Sequence, residues 1–398
     1  MTPNWVPEYS TSHNKLLEST VQPTRDVRFD AIVVPTNRPV KRLEDSLRLA
    51  SGMDIPLIVA CSKRVTKDEV FEEAARWDAK VYAVDLPPEK VNPFKGISFD
   101  TSTDKELLEF TSGLTRDLSA KRNLGLILGR ICRWERIMFL DDDIREVSES
   151  HVAALAAALD DHSVSVLIPD EFPDNSVVCH ANRLGGGDQD RFASAGGMGV
   201  RCDRDDLGFF PNIYNEDWFF FSADAATHKI AEVGRSRQVA YDPYRDPERA
   251  VKEEFGDLLA EGLYTRLEHL IGDRYARPNH DPVLFDVDEA YWAQFIKTRE
   301  DFLDRVARLL AARLTAGDLK DGEGADIRAA QISVSAARRQ LARIDRELCQ
   351  RFIELWRSDL AQWRDYITGD RLPRLDRHSV GPALAHLGLD YLFSPSTR

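Results

Sequence analysis

Three adjacent aspartates, Asp141-Asp142-Asp143, are the clearest candidates for a chemical role in this sequence. They follow the run 135–140, which has the pattern of a buried strand, and ligands of open α/β sheets bind where strands end. Because side chains alternate along a strand, Asp141 and Asp143 would share one side and offer hard oxygen ligands to Mg²⁺ or Mn²⁺. The alternative is a solvated strand-to-loop junction in which Asp143 caps the next turn.

Two further groups of polar residues lie near predicted helix starts. Lys121, Arg122 and Asn123 precede a glycine on the helix that leads into this strand. A cationic pair at a helix N-terminus suits a phosphate group, although such pairs are also common on solvated helix faces. Glu216 and Asp217 stand before an aromatic run, where a carboxylate also satisfies the first turn of a helix.

The segments that position these residues alternate between strand and helix patterns. Strand-like runs occupy residues 29–35, 56–61, 80–84, 135–140 and 164–169, with helical patterns between them. This alternation is typical of βαβ units. We therefore predict an α/β fold with a mainly parallel central sheet flanked by helices, over residues 28–285.

The C-terminal region, residues 286–370, has helical periodicity throughout. One pattern runs from Tyr291 to Leu314 and a second from Asp326 to Tyr366, separated by a polar segment. A single helix of about 40 residues would span about 60 Å, which is long for one globular element. We therefore expect an antiparallel helical hairpin that either braces the sheet domain or forms a homodimer. Residues 1–27 and 371–398 are expected to be an irregular arm and an irregular tail.

Composition excludes several classes of protein. The 398 residues are 43% hydrophobic and 30% charged, which excludes disorder as the main state. The formal charge of −14 argues against a nucleic-acid or anionic-membrane binder, but a local metal or basic loop can still hold an anion. No secretory signal and no apolar run of about 18 residues is visible, and the five cysteines form no CxxC pair. We expect a reduced, cytoplasmic chain without a transmembrane segment.

Four blocks of the sequence together resemble GT-A-type, nucleotide-sugar-dependent glycosyltransferases, closest to the family 2 pattern. In the family's order they are Ile32-Val33-Val34-Pro35-Thr36-Asn37-Arg38-Pro39, Lys121-Arg122-Asn123-Leu124-Gly125-Leu126, Met138-Phe139-Leu140-Asp141-Asp142-Asp143-Ile144, and Asn215-Glu216-Asp217-Trp218-Phe219 preceded by Ala195-Gly196-Gly197-Met198-Gly199-Val200. The resemblance covers residues 28–250 and reaches neither the arm nor the C-terminal helices. It implies a Rossmann-like GT-A fold, here followed by the helical hairpin.

The resemblance also implies a donor site. Asp141 and Asp143 would bind Mn²⁺ or Mg²⁺, and the cation would stabilise charge on the diphosphate leaving group. The nucleotide sugar would contact residues from each of the first three blocks and from the glycine segment: Pro35, Thr36, Asn37, Arg38, Lys121, Arg122, Asn123, Asp142, Gly196 and Gly197.

The same resemblance implies that the Glu216-Asp217 pair is catalytic. In inverting members Asp217 would be the general base, which must lie within about 3 Å of the attacking hydroxyl to accept its proton. An additional role in the first turn of the following helix is compatible with this assignment.

Two positions depart from the family pattern. The second strand ends in Ala60-Cys61-Ser62-Lys63, where the family usually has an acidic stretch that contacts the base, so no base is assigned. Where many members carry a histidine, this chain offers Asp242 as a further metal ligand and Arg245 as a diphosphate contact. Both residues are equally compatible with a turn.

The leading expectation is a metal-dependent glycosyltransferase that moves a sugar from a nucleoside-diphosphate donor to a small-molecule or glycan hydroxyl. A GT-A-like nucleotidyltransferase is the first alternative, but it would normally have a Gly-rich basic loop after the first strand. The second alternative is a catalytically silent nucleotide-sugar-binding assembly protein built around the C-terminal helices. The acidic triplet together with Glu216-Asp217 argues against lost activity.

Overall fold

Strands alternate with helices through residue 238, and helices then dominate the chain. The computed structural model describes residues 13, 15–19, 27–86, 94–111, 116–170, 176–188, 191–272, 287–317 and 319–396. Its strands are β1 (Leu17–Ser19), β2 (Ala31–Thr36), β3 (Leu57–Cys61), β4 (Val81–Asp85), β5 (Arg136–Leu140), β6 (Ile144–Arg145), β7 (Val164–Asp170), β8 (Gly197–Arg201), β9 (Ile230–Gln238) and β10 (Tyr391–Ser394).

The helices fall into two groups, one interleaved with the strands and one after β9. The first group is α1 (Glu44–Met53), α2 (Lys67–Trp77), α3 (Lys105–Thr111), α4 (Arg116–Ile131), α5 (Glu149–Ala158), α6 (Val177–Leu184), α7 (Glu216–Phe220) and α8 (Ser222–Ala226). The second group is α9 (Glu248–Gly272), α10 (Glu289–Ala316), α11 (Glu323–Leu341), α12 (Arg346–Thr368) and α13 (Val380–His386). Within the described ranges, no helix is both long enough and apolar enough to cross a bilayer.

All ten strands belong to one mixed, mostly parallel sheet in the order β1-β9-β7-β8-β5-β2-β3-β4-β10, with β6 paired to β9. Strands β8 and β10 run antiparallel to their neighbours. The predicted α/β fold with a mainly parallel sheet and flanking helices is therefore confirmed. The central strands β2, β3 and β5 are buried along their whole length, because helices cover both faces of the sheet.

The order of the strands creates a crevice between β2 and β5. From β2 the chain moves outward to β3 and β4, and it then returns to form β5 on the other side of β2. At such a reversal the connections leave in opposite directions, so the carboxyl ends of the two strands flank an open space where ligands bind. Thr36 and Asp141 stand at these two ends.

The C-terminal helices share a core with the sheet. Trp292, Trp356 and Trp363 are fully buried in the same cluster of apolar side chains as Val33 of β2. The ring of Phe219, on α7, lies 5.1 Å from the ring of Trp356. These contacts support the expectation that the helices brace the sheet domain.

The prediction of a two-helix hairpin in the C-terminal region is wrong in the number of helices. The second helical pattern is divided into α11 and α12, so that α10, α11 and α12 form three packed helices where two were expected. The break occurs because Asp345 caps α12, its side chain accepting a hydrogen bond from the Leu348 backbone N–H at 2.8 Å. Such a cap restarts a helix without glycine or proline, which leaves the apolar periodicity intact.

Both chain ends contain regular structure that was not expected. In the arm, β1 pairs in parallel with β9, while residues 1–12, 14 and 20–26 lie outside the described residues. In the tail, α13 precedes β10, which pairs antiparallel with β4. Edge strands of three or four residues are too short to show a period in sequence, and their partners are distant in the chain.

Candidate active site

The loop after β2 contacts the acidic triplet after β5. The Thr36 hydroxyl donates to Asp142 Oδ2 at 2.6 Å, and the Arg38 guanidinium forms ion pairs with Asp142 and, at 3.0 Å, with Asp143 Oδ2. Asn37 is half-buried between them, whereas Pro35 lies inside β2. The structure thus brings together the first and third sequence blocks at the crevice of the sheet.

Lys121 lies beneath this loop and does not face the crevice. Its ammonium donates to the Thr36 carbonyl and the Ser62 hydroxyl, both at 2.7 Å, and to Asp117 Oδ2 at 3.1 Å. All three donors are used within the protein, and burial lowers the pKa of Lys121. Lys121 therefore fixes the loop that carries Arg38, in place of the phosphate contact expected from sequence.

Arg122 connects the end of β5 to the start of α7. Its guanidinium donates to both carboxylate oxygens of Asp141, at 3.0 and 2.9 Å, and pairs with Glu216. Burial raises the pKa of Asp141 to about 6 and that of Glu216 to about 8, and Arg122 opposes both shifts. The half-buried Asp141 and the buried Glu216 thus share the Arg122 guanidinium.

Asn123 has a structural role. Its side-chain amide donates to the Phe210 carbonyl and its carbonyl accepts from the Phe210 N–H, both at 2.9 Å. The buried side chain therefore fixes the backbone at Phe210, whose ring lies 5.6 Å from the Arg122 guanidinium. Because both ends of the Asn123 amide bind the Phe210 backbone, this placement does not support the expected contact with the nucleotide sugar.

Asp217 and Asp141 are joined through the segment before β8. Asp217 Oδ2 accepts from the Ala195 N–H at 2.9 Å, while the Asp141 N–H donates to the Gly196 carbonyl at 2.9 Å. A Cβ added to Gly196 would lie 3.3 Å from Ile144 and 3.6 Å from Asp141 Oδ2, so this position needs a small residue beside the acidic triplet.

Gly197 lies farther into the sheet. It is the first residue of β8 and pairs with Leu140, and an added Cβ would meet Leu167 of the apolar core at 3.4 Å. Of the two glycines expected at the donor sugar, the structure places Gly196 beside the acidic residues and Gly197 against the core.

A buried ionic cluster supports the start of α7. Asn215 caps this helix in the left-handed conformation, with φ of 61°, and its amide donates to Asp257 Oδ1 at 2.9 Å. The fully buried Arg299 donates to Asp257 Oδ2 at 3.0 Å and also pairs with Glu254 and Glu261. Sequence reasoning missed this cluster, since its members lie on α9 and α10 and share no local motif.

Gln238 is a second residue that sequence reasoning missed. It ends β9, and its amide nitrogen donates to Asp143 Oδ2 at 3.3 Å. The next N–H, of Val239, donates to the Asp143 carbonyl at 2.9 Å. The Gln238 side-chain carbonyl is buried and has no hydrogen-bond partner among the described atoms. An unpaired buried amide oxygen is a hard ligand of the kind that divalent cations bind, although here the amide nitrogen is the atom that faces Asp143.

The residues present fit a divalent cation that also binds a phosphate-bearing ligand. No group of three or more His, Cys, Asp or Glu side chains in the described ranges is arranged to hold a metal alone. Asp141, Asp143 and the Gln238 oxygen are hard ligands, and Mg²⁺ typically takes one or two carboxylates together with phosphate oxygens and water. A cation bound at Asp143 would have to displace the Arg38 guanidinium, which lies 3.0 Å from Asp143 Oδ2 on a side chain that is 42% exposed.

Asp242 and Arg245 lie in the turn that follows β9. Asp242 is exposed and accepts from the Tyr244 N–H at 3.0 Å, which is the geometry of a turn. The expected role of Asp242 as a metal ligand stays a prediction. Arg245 is exposed in the same turn.

The chain matches no protein-family model, and a search of curated proteins finds no match either. The case for a function therefore depends on the geometry of the crevice and on the four sequence blocks.

Proposed function

We propose that this protein is a metal-dependent glycosyltransferase of the GT-A type, which moves a sugar from a nucleoside-diphosphate donor to an acceptor hydroxyl, with inversion. One observation carries the proposal. Arg122 and the 195–196 segment join Asp141 of the acidic triplet to Glu216 and Asp217, at the crevice where the strand order reverses. Metal ligands and a candidate base thus share one crevice.

The donor diphosphate would lie between the β2 loop and the acidic triplet. Arg38 and Arg122 each have carboxylate partners that a bound phosphate would replace in part, since guanidinium groups bind both anions through paired N–H donors. Asp141, Asp143 and the Gln238 side-chain oxygen would hold Mn²⁺ or Mg²⁺. The cation would compensate the charge that develops on the nucleoside diphosphate as it leaves.

Asp217 is the residue we assign to proton transfer. Its half-buried carboxylate is held in place at the crevice, because Oδ2 accepts from the Ala195 N–H and Oδ1 accepts from the Trp218 N–H, both at 2.9 Å. The acceptor oxygen bonds to the anomeric carbon while its proton passes to Asp217. The bond between that carbon and the phosphate oxygen breaks, and its electron pair leaves with the diphosphate. Glu216, which is buried, holds Arg122 and would not touch substrate.

Donor binding is the first test of this proposal. UDP-, GDP- and dTDP-sugars are titrated with and without Mn²⁺, and unfolding temperature is followed. At a hundredfold excess over Kd, binding stabilises by about 2.7 kcal/mol, or about 3 °C for a chain of this length. We expect one base to produce this shift with metal present. Absence of a shift from every nucleotide would remove the main support for a transferase.

The roles of the carboxylates are tested by two variants and one control. Asp143→Asn should weaken metal-dependent donor binding, whereas Asp217→Asn should retain binding and lower transfer by about 10²- to 10⁴-fold. Asp321→Asn, in the exposed turn before α11, is the matched control. Unchanged transfer in Asp217→Asn excludes this residue as the base. Release of pyrophosphate from a nucleoside triphosphate and a sugar phosphate would favour the nucleotidyltransferase alternative.

A further inference from the structure

His13, in the N-terminal arm, is buried beside the start of α7. Its ring stacks on the Tyr264 ring, with 4.5 Å between centroids and 22° between planes, and meets the Trp218 ring edge-on at 4.1 Å. The Tyr264 hydroxyl donates to the Trp218 carbonyl at 2.9 Å, so the three side chains form one packed unit. Trp218 directly follows Asp217, the candidate base. A residue of the arm therefore contacts the first turn of the helix that carries the base.

His13 also holds the segment of residues 191–196, which precedes β8. The His13 backbone N–H donates to the Arg191 carbonyl at 2.7 Å, and the Ala193 N–H donates to His13 Nδ1 at 3.1 Å. The segment before Gly197 belongs to no helix or strand, so its backbone groups find partners in other parts of the chain. One of these parts is His13, through both its backbone and its side chain.

The other end of this segment contacts the acidic residues of the crevice. The Ala195 N–H donates to Asp217 Oδ2, and the Gly196 carbonyl accepts from the Asp141 N–H, both at 2.9 Å. Ala193 and Ala195 are two residues apart, so their Cα atoms are at most about 7 Å from each other. His13 thus fixes the segment close to the point where it binds the carboxylate of the candidate base.

The protonation state of His13 suits this contact. Burial lowers the pKa of His13 to about 3, so the ring is neutral, and because Nδ1 accepts from Ala193 the ring proton is on Nε2. Nε2 is buried and has no hydrogen-bond partner among the described atoms. A buried N–H group without a partner costs stability, which a phenylalanine in the same aromatic packing would avoid. What histidine provides and phenylalanine does not is the acceptor at Nδ1.

The part of the arm that carries His13 is anchored to the sheet. Strand β1 pairs in parallel with β9, with Leu17 opposite Ile230. The Leu16 N–H donates to the His13 carbonyl at 2.8 Å, and the Leu16 side chain is fully buried in the main core. His13 therefore has a defined position relative to the sheet, which it transmits to residues 191–196.

We propose that His13 is a positioning residue for the transfer reaction. Through the Ala193 N–H and the Trp218 ring, it holds Asp217 where the carboxylate can take the proton of the acceptor hydroxyl. This inference rests on the proposed glycosyltransferase function. His13 takes no part in the bond changes and acts only through residues 191–196 and α7. The N-terminal arm, which the sequence resemblance does not reach, then contributes to the active site.

Two substitutions in the full chain separate the acceptor atom of His13 from its ring. His13→Phe keeps a ring against Tyr264 and Trp218 but leaves the Ala193 N–H unpaired, whereas His13→Asn loses the ring and keeps an acceptor oxygen near the position of Nδ1. Amide hydrogen exchange of residues 191–196 reports the position of the segment without any substrate. Release of nucleoside diphosphate is measured at saturating donor with Mn²⁺, with methyl α-glucoside, maltose or myo-inositol as trial acceptors, and donor Kd is measured by titration.

We expect His13→Phe to accelerate exchange in the segment about fivefold to tenfold and to lower the maximal rate of release about 10- to 100-fold, with donor Kd unchanged. His13→Asn should restore most of both losses. His378→Phe and His378→Asn, at an exposed histidine in the turn before α13, are the matched controls. Asp359→Ala controls for lost stability, because it removes a buried carboxylate on α12 and should leave release unchanged while the protein stays folded.

Three results would overturn the role of His13. They are unchanged release in His13→Phe, equal losses in His13→Phe and His13→Asn, and a fall in release that Asp359→Ala reproduces or that donor binding matches. All three require a wild-type protein that binds and cleaves a donor. A wild-type protein that binds no nucleotide sugar overturns the glycosyltransferase proposal itself, and with it the part of His13 in proton transfer, so the two failures are distinguishable.

Discussion

Replacement of Arg299 by leucine tests how the C-terminal helices support the active site. Arg299 is fully buried and is the shared partner of Glu254, Asp257 and Glu261. Removal of one partner from a buried ion pair costs about 3–5 kcal/mol, because the remaining charge has neither water nor a counterion. For a chain of this length the cost corresponds to a fall of roughly 4–6 °C in unfolding temperature.

The pH dependence of this cost distinguishes lost charge compensation from lost packing. Burial raises the pKa of Glu254 and of Asp257 even with Arg299 present, and its removal raises both pKa values further. An acid with a raised pKa in the folded state binds a proton that the unfolded chain releases, so its contribution to stability is lost as pH rises through the folded pKa. The deficit of Arg299→Leu should therefore be larger at about pH 8.5 than at about pH 5.5.

Urea unfolding followed by tryptophan fluorescence at both pH values measures this deficit. Arg308→Leu, at an exposed position on the same helix, is the matched control and should change the free energy of unfolding by no more than about 0.5 kcal/mol. Because Asp257 holds Asn215 before Asp217, we also expect transfer to fall in Arg299→Leu under conditions where the protein stays folded. A deficit equal to that of the control, or one that does not change with pH, would refute the electrostatic reasoning.

Three further predictions concern single side chains. Glu216→Gln should flatten the fall in unfolding free energy between about pH 4.5 and about pH 8, because the pKa of Glu216 is raised to about 8 and the folded protein keeps a proton that the unfolded chain releases over that interval; urea midpoints measure it. Gly196→Ala should weaken metal-dependent donor binding in calorimetric titration, because its Cβ would lie 3.3 Å from Ile144, closer than ordinary contact, and would displace the residue that follows the acidic triplet, with little change in unfolding temperature. Asp359→Ala should cost about 1–3 kcal/mol in urea unfolding, since the Asp359 carboxylate accepts from the Asp100 and Thr101 N–H groups and the Thr101 hydroxyl.

Local patterns in the sequence were sufficient to predict five strands of the sheet (β2, β3, β4, β5 and β7) and one side of the site. Apolar runs that end in Thr36 and Asp141 identify two central strands, and the strand–helix alternation places both carboxyl ends at one edge. The contacts of Thr36 and Arg38 with Asp142 follow from that placement. Contacts between residues at the ends of adjacent buried strands can therefore be predicted from short sequence blocks.

Contacts that depend on distant pairing were not predictable in this way. Gln238 reaches Asp143 because β6 and β9 pair in a register that sets Gln238 opposite Ile144. Nothing local distinguishes this glutamine from one on a surface strand. The sequence also does not show which way each side chain on α4 points. Lys121, Arg122 and Asn123 are consecutive, yet of these three only Arg122 contacts the acidic residues of the crevice. On a helix, residues adjacent in sequence point about 100° apart, so the three residues of this motif face three different parts of the protein.

Nucleoside diphosphate release tests the central claim most directly, because it requires the donor site, the cation and Asp217 in one reaction. Wild-type protein, Asp143→Asn and Asp217→Asn are incubated with UDP-, GDP- and dTDP-sugars, with Mn²⁺ or with a chelator, in the presence of methyl α-glucoside, maltose or myo-inositol as trial acceptors. We predict that one nucleotide is released only with Mn²⁺ and that release falls about 100-fold or more in Asp217→Asn while donor binding persists. Release that continues with chelator and in both variants, or the absence of release from every donor, would contradict the account.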